Sequence, residues 1–139
     1  MLPAAPAHHY GHRGRRPPRR VRRGSHPACS PAHGYSRQSA PHDHAEEAAL
    51  AELPPQAPRL TTATIYSSLE PCAKRASRPH PCAQLITESG LRRVVTAWTE
   101  PDTFVPGSNG TKRLEAAGVV VVTMPGYAAA AQSPNQHLL

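Results

Sequence analysis

Up to about residue 42 the chain shows neither helical nor strand periodicity, and its only aliphatic residues besides alanines and Met1 are Leu2 and Val21. From Asp43 onward the two periods alternate. Asp43 is placed to cap a helix running through HAEEAALAEL to Leu53, which Pro54-Pro55 ends. TATIYSSL, 62–69, and RRVVTAW, 92–98, read as strands from their β-branched and aromatic content, and CAQLITES, 82–89, reads as a helix stopped by Gly90. The unit then repeats: a loop from Pro101 to Gly110, a helix through KRLEAA, a stop at Gly118, and the strand VVVVTM, 119–124. Strands joined by crossovers of about 20 residues with one helix each are what parallel β-α-β units require. The run VVVV is apolar on both faces, which predicts a strand covered by helices on each side. After Pro125 an alanine-rich stretch predicts a short helix.

Composition divides the chain in the same place. Before Asp43 there are eight arginines and no acidic residue, whereas from Asp43 to the end eight Lys and Arg face nine Asp and Glu; +8 and −1 give the net +7. The high isoelectric point therefore belongs to the N-terminal segment. Seven of the 17 prolines also lie in residues 1–41, and a segment so poor in apolar surface cannot offset its ordering entropy. The expected organisation is a disordered Arg/Pro-rich segment over 1–40, a folded core over 41–125, and a C-terminal tail over 126–139. Any affinity for nucleic acid would be nonspecific and confined to residues 1–40.

A secretory signal is not expected, because Arg-Pro runs such as 15–23 stand where a continuous apolar stretch would be needed. No stretch approaches the roughly 18 apolar residues of a membrane span. Cys29, Cys72 and Cys82 form an odd set without disulfide-framework spacing, which suits reduced thiols and metal binding. A cytoplasmic protein is the expectation.

The chemistry concentrates in three short segments. His44-Ala45-Glu46, then Glu70-Pro71-Cys72, then Cys82 follow the zinc-deaminase signature of His-x-Glu, Pro-Cys and a second Cys. His44, Cys72 and Cys82 supply three ligands to Zn2+ and leave a fourth position open, the pattern of a catalytic site. Glu46 is the expected proton carrier, close to the metal without ligating it. With Cys72 after a strand and Cys82 opening a helix, helix-terminal amides are expected to favour both thiolates.

Each residue alone has a plainer role. Asp43-x-x-Glu46 is close to a capping box, a lone His44 would sit on the surface, and lone cysteines would pack. His8, His9, His12, His26 and His33 share the N-terminal region with Cys29 without a zinc-finger spacing and read as incidental. His42 and His80, nearer the expected site, read as facing solvent.

IYSSLEPC, then PCAQLITESGLRRVVTAWTEPDTFVPG, then RLEAAGVVVV resembles the deaminase part of the riboflavin-biosynthesis deaminase/reductase family. The resemblance runs from Gly34 to about Val122. It implies an α/β fold of cytidine-deaminase type, a three-layer α/β/α sandwich with a mixed sheet, here expected to lack its first helix and β-hairpin. It implies zinc held by His44, Cys72 and Cys82, proton transfer by Glu46, an aminopyrimidine nucleotide substrate, no membrane partner and a homo-oligomer. It further implies that the loop from Ala73 to Pro81, with Lys74, Arg75 and Arg78, covers the substrate and meets its phosphate. Nine residues separate the two cysteines, one more than expected for that family, and deamination without a reductase domain is the expectation.

The expected function is zinc-dependent hydrolytic deamination of a diaminopyrimidine ribosyl phosphate, as a hydrolase of a cyclic amidine C–N bond. The alternative is a catalytically dead zinc-binding remnant with a basic nucleic-acid-binding arm. Editing of a flipped base fits less well, because the long cysteine loop favours a small substrate.

Overall fold

The computed structural model describes residues 31–54, 57–99, 101, 107 and 109–138. The expected disorder and nonspecific nucleic-acid contact of the N-terminal segment therefore lie, for residues 1–30, outside the described residues. Helix α1 spans Ala45–Ala51, strand β1 Thr64–Leu69, α2 Cys82–Glu88, β2 Arg93–Trp98, α3 Gly110–Ala116, β3 Val120–Thr123 and α4 Ala128–Gln132. Every helix and strand expected from the periodicity is present, most of them shortened at the ends. Gly90 and Gly118, expected as helix stops, take the left-handed conformation at φ 88° and 79°.

The strands form one parallel sheet in the order β1-β2-β3. Ile65, Val94 and Val121 lie level across it and face Ala83 and Ile86 of α2 and Leu114 of α3, with Leu60, Leu91 and Val119 closing the core. Ile86, Val94 and Leu114 are fully buried, each stabilising the fold by about 1.5–3 kcal/mol. Val95 points to the opposite face and is also buried, and α4 packs against β1 and β2. That helix supplies the third layer, and the architecture is the expected α/β sandwich.

The described strands are all parallel. Two expectations need correction. The VVVV run is not covered on both sides: β3 is an edge strand and Val120 is 55 % exposed. Its apolar character serves the buried Val119 and the core-facing Val121. Asp43 does not cap α1, whose N-cap is His44 without a side-chain cap bond. Its carboxylate instead accepts the Ser39 and Ala40 amides at 3.1 and 2.7 Å, closing the preceding turn.

Residues 31–40, assigned by composition to the N-terminal segment, are tied to α1. The His33 amide donates to Glu52 at 3.2 Å, and the Arg37 amide donates to the Asp43 carbonyl at 2.8 Å. The tail beyond 125 belongs to the same unit, which runs from Pro31 to Leu139. Among the described residues no helix is long and apolar enough to cross a membrane.

Candidate active site

Parallel strands place their C-terminal ends, and the helix starts that follow, on one rim of the sheet. Cys72 lies three residues beyond β1, Cys82 is the first residue of α2, and His44 immediately precedes α1. Their ligand atoms come within 4.8 Å of one another, the one such histidine and cysteine group among the described residues. His44 Nδ1 is 3.6 Å from Cys72 Sγ and 3.4 Å from Cys82 Sγ. Both thiols are buried and neither is in a disulfide.

Cys72 also receives the first amides of α2. Its carbonyl accepts the Ala83 amide at 3.1 Å, and its sulfur accepts the Cys82 amide at 3.4 Å. A hydrogen bond from Cys82, followed by the His44 contact and that backbone amide, outweighs burial and holds the Cys72 thiol far below its ordinary value, at about 4. Cys82 is pushed the other way, first by its hydrogen bond to Cys72, then by burial and by the charge of Glu46. His44 is raised, chiefly through its hydrogen bond to Cys72. The expectation that helix amides favour both thiolates thus holds for Cys72 alone: two close thiols share one proton unless a cation offsets the second charge. Two buried sulfurs and an imidazole converging in this way suit a thiophilic divalent metal such as zinc.

Glu46 is buried on the first turn of α1 and accepts a hydrogen bond from Ser67 Oγ of β1. It is not a capping-box residue. Ser67 is level with the buried Thr96 on the core-facing side of the sheet, and its hydroxyl is also 2.7 Å from the Leu69 carbonyl. With Ser36, His44, Ser68, Glu70 and Cys72 these residues line a cleft of about 140 Å³. A neighbouring cavity of about 220 Å³, lined by Ser36, Arg37, His42, Asp43, His44 and Ser77, shares Ser36 and His44 with it.

Ser67 has no place in the sequence-based expectations, and Glu70 stands there only as the residue before Pro71-Cys72, without a role. Ser67 carried a signal: two residues from Ile65 on a strand, it occupies a core-facing position where an apolar residue is expected. Glu70 carried none. Its buried carboxylate accepts the Thr111 amide at 2.6 Å, which ties α3 to the segment bearing Cys72.

The arginines of the cysteine loop, expected to suit a phosphate, are paired within the chain. Arg75 bonds Glu47 and the His42 carbonyl, and Arg78 bonds Asp43 at 2.7 Å. The exposed His80 contacts Gln84 at 3.0 Å, on the outer side of α2.

In architecture the chain is a cytidine-deaminase-like α/β protein. The family profile described as "Cytidine and deoxycytidylate deaminase zinc-binding region" matches residues 21–98, more than half of the chain, which belongs to that family. A "Diaminohydroxyphosphoribosylamino-pyrimidine deaminase" from Schizosaccharomyces pombe is 40% identical over 91 residues, 64% of this chain and 22% of that protein. The "Riboflavin biosynthesis protein RibD" of Bacillus amyloliquefaciens is 44% identical over 61 residues, 44% of this chain and 16% of that protein. The chain therefore spans less than a quarter of the length of these curated relatives. Among solved structures, a form of Acinetobacter baumannii RibD superposes with a TM-score of 0.57 at 32% identity, over 68% of this chain and 25% of that one. A C-terminal deletion mutant of the Aspergillus oryzae Rib2 deaminase gives 0.50 at 28% identity, over 76% and 71%. The riboflavin-family resemblance read from the motifs is borne out by these likenesses.

Proposed function

We propose that the chain is a zinc-dependent pyrimidine deaminase whose substrate is an aminopyrimidine carrying a ribosyl phosphate, of the diaminopyrimidine type. The observation that carries this reading is the gathering of His44, Cys72 and Cys82 within 4.8 Å beside a cleft lined by buried Glu46. Names of the relatives, which include phosphoribosylamino-pyrimidine deaminase, support the substrate class.

His44 Nδ1, Cys72 Sγ and Cys82 Sγ would hold the metal, and zinc bound there supplies an acidified water at near-neutral pH. With the metal in place, Glu46 would carry one proton of the attacking water on its carboxylate to the ring nitrogen of the amidine, then move the proton of the added hydroxyl to the departing amine. One C–N bond breaks, one C–O bond forms, and ammonia leaves. Ser67 keeps the Glu46 carboxylate on the cleft wall. The cleft of about 140 Å³ accommodates the ring, and the adjoining cavity takes the phosphate. Arg37 on its wall has a non-glycine backbone held at φ 65° and, unlike Arg75 and Arg78, no acidic partner among the described residues. Strain of that kind concentrates at ligand-binding positions.

The test is zinc content and ammonia release on the diaminopyrimidine ribosyl phosphate, for the full chain and for Glu46→Gln. The expected outcome is full metal occupancy in both and turnover in the parent only. Ammonia release retained by Glu46→Gln would remove the role given to Glu46. Metal without turnover in the parent would favour the catalytically dead remnant.

A further inference from the structure

His44 and the two cysteines reach the site from segments 28 and 38 residues apart, and α1, with seven residues, is too short to hold its own shape. Its first turn offers only small apolar side chains, Ala45 and Ala48, beside the bond of Glu46 to Ser67. What fixes the height of His44 above the cysteines must come from outside the helix.

The loop between the cysteines supplies it. Arg75, with a side chain only 3 % exposed, donates from both terminal nitrogens to Glu47 Oε2 at 3.1 Å and from Nη2 to the His42 carbonyl at 2.5 Å. Arg78 donates to Asp43 Oδ1 at 2.7 Å and approaches Glu47 Oε1 at 3.3 Å with Nε. Asp43 is itself locked by the Ser39 and Ala40 amides. The acceptors thus stand on residues 42, 43 and 47, on either side of His44 and Glu46, and the donors stand on the strap joining Cys72 to Cys82.

We infer that Arg75, through Glu47 and the His42 carbonyl, is a positioning residue: it clamps the His44-Ala45-Glu46 turn to the cysteine strap and so sets the spacing of the imidazole and the two sulfurs for metal. This rests on the metal-site reading above. A planar guanidinium spans a carboxylate and a carbonyl together, which a lysine ammonium on a flexible stem does not do with the same rigidity. Ligand spacing tolerates displacements of only about 0.5 Å, and loss of groups that orient metal ligands commonly costs 10–100-fold in affinity. Burial makes the clamp unlike a surface ion pair: with one partner gone, the other charge is left poorly solvated.

The experiment is zinc affinity by chelator competition on the full chain, with cobalt substitution to read the thiolate charge-transfer band, for the parent, Arg75→Met, Glu47→Leu and the double variant. The metal-free thermal midpoint is measured for each. Expected are about 10- to 100-fold weaker zinc binding in each single variant, a weakened or shifted cobalt band, and a double variant little worse than either single one. Zinc affinity within about twofold of the parent, with only the thermal midpoint lowered, would overturn the clamp and leave a mere loop tether. Strictly additive losses would overturn it also. If Arg75→Met does not fold, Arg75→Lys is decisive: a cobalt band and affinity equal to the parent refute the clamp, and a loss in both upholds it. A parent chain that takes up no zinc would instead refute the metal-site reading on which the clamp depends.

Discussion

Gly110 opens α3 directly above the carbonyl of Pro71, the residue before Cys72. A β-carbon there would lie 1.9 Å from the Pro71 oxygen, 3.1 Å from its carbon and 3.3 Å from Glu70 Cγ. Relieving the first contact requires a displacement on the order of 1 Å, about twice what a preorganised site tolerates. Neither side yields easily. Pro71 is fully buried with φ held by its ring, Glu70 N–H is bonded to the Trp98 carbonyl at 2.7 Å, and the Glu70 carboxylate holds the Thr111 amide. Overpacking against backbone costs about 3 kcal/mol at the upper end of its range, and the better helix propensity of alanine returns up to about 1 kcal/mol. The net loss for Gly110→Ala is about 2 kcal/mol, or a fall in thermal midpoint of roughly 8–16 °C for a domain of this size. Because Pro71 carries Cys72, zinc affinity by chelator competition falls in the same variant. Gly126→Ala is the control: nothing lies within 4 Å of its added β-carbon, and its midpoint stays near that of the parent. A Gly110→Ala midpoint within about 2 °C of the parent, with unchanged zinc affinity, would show that the Pro71 carbonyl does not exclude a side chain at position 110.

Ser67→Ala removes the hydroxyl that donates to buried Glu46; losing a hydrogen bond to a charged group, about 1.5 kcal/mol or more, lowers ammonia release at least about tenfold, and unchanged turnover with full metal content would argue against Ser67 as its support. In the metal-free chain with Cys29→Ser, ultraviolet absorbance should report one thiolate persisting well into the acidic range, since Cys72 sits at about 4 against an ordinary 9.0 while Cys82 is pushed up. The linked stability follows that sign: the Cys72 contribution is complete above its ordinary value and is lost as pH falls toward about 4. The raised His44 contributes in the opposite sense, with stability present below 6.5 and lost as pH rises through its folded value. Both thiols titrating together near their ordinary value would contradict the shared proton. Zinc then releases protons on binding, because the second thiolate forms only with the metal.

How much of this was legible in the sequence varied with the range of the interaction. His44, Cys72, Cys82 and Glu46 were legible because the chemistry needs those side chains in that order beside strand ends and helix starts. The helices and strands were legible because each carries a local period and local stops. The placement of Val120 at an exposed edge was not: four valines read the same whether or not another element covers them. Arg75 and Arg78 read as phosphate ligands from their charge alone, since nothing local reveals that Glu47 and Asp43, about 30 residues upstream, neutralise them.

The alternation of strands and helices, the histidine and cysteines proposed as metal ligands and the glutamate proposed as proton carrier are each encoded within a few residues of one another in the amino-acid sequence. The tertiary structure alone decided which carboxylate each arginine meets, which hydroxyl supports Glu46, which cysteine receives the helix amides, and why position 110 must be glycine. These are contacts between segments far apart in the chain, and their partners are selected by parallel strand register and helix packing rather than by local preference.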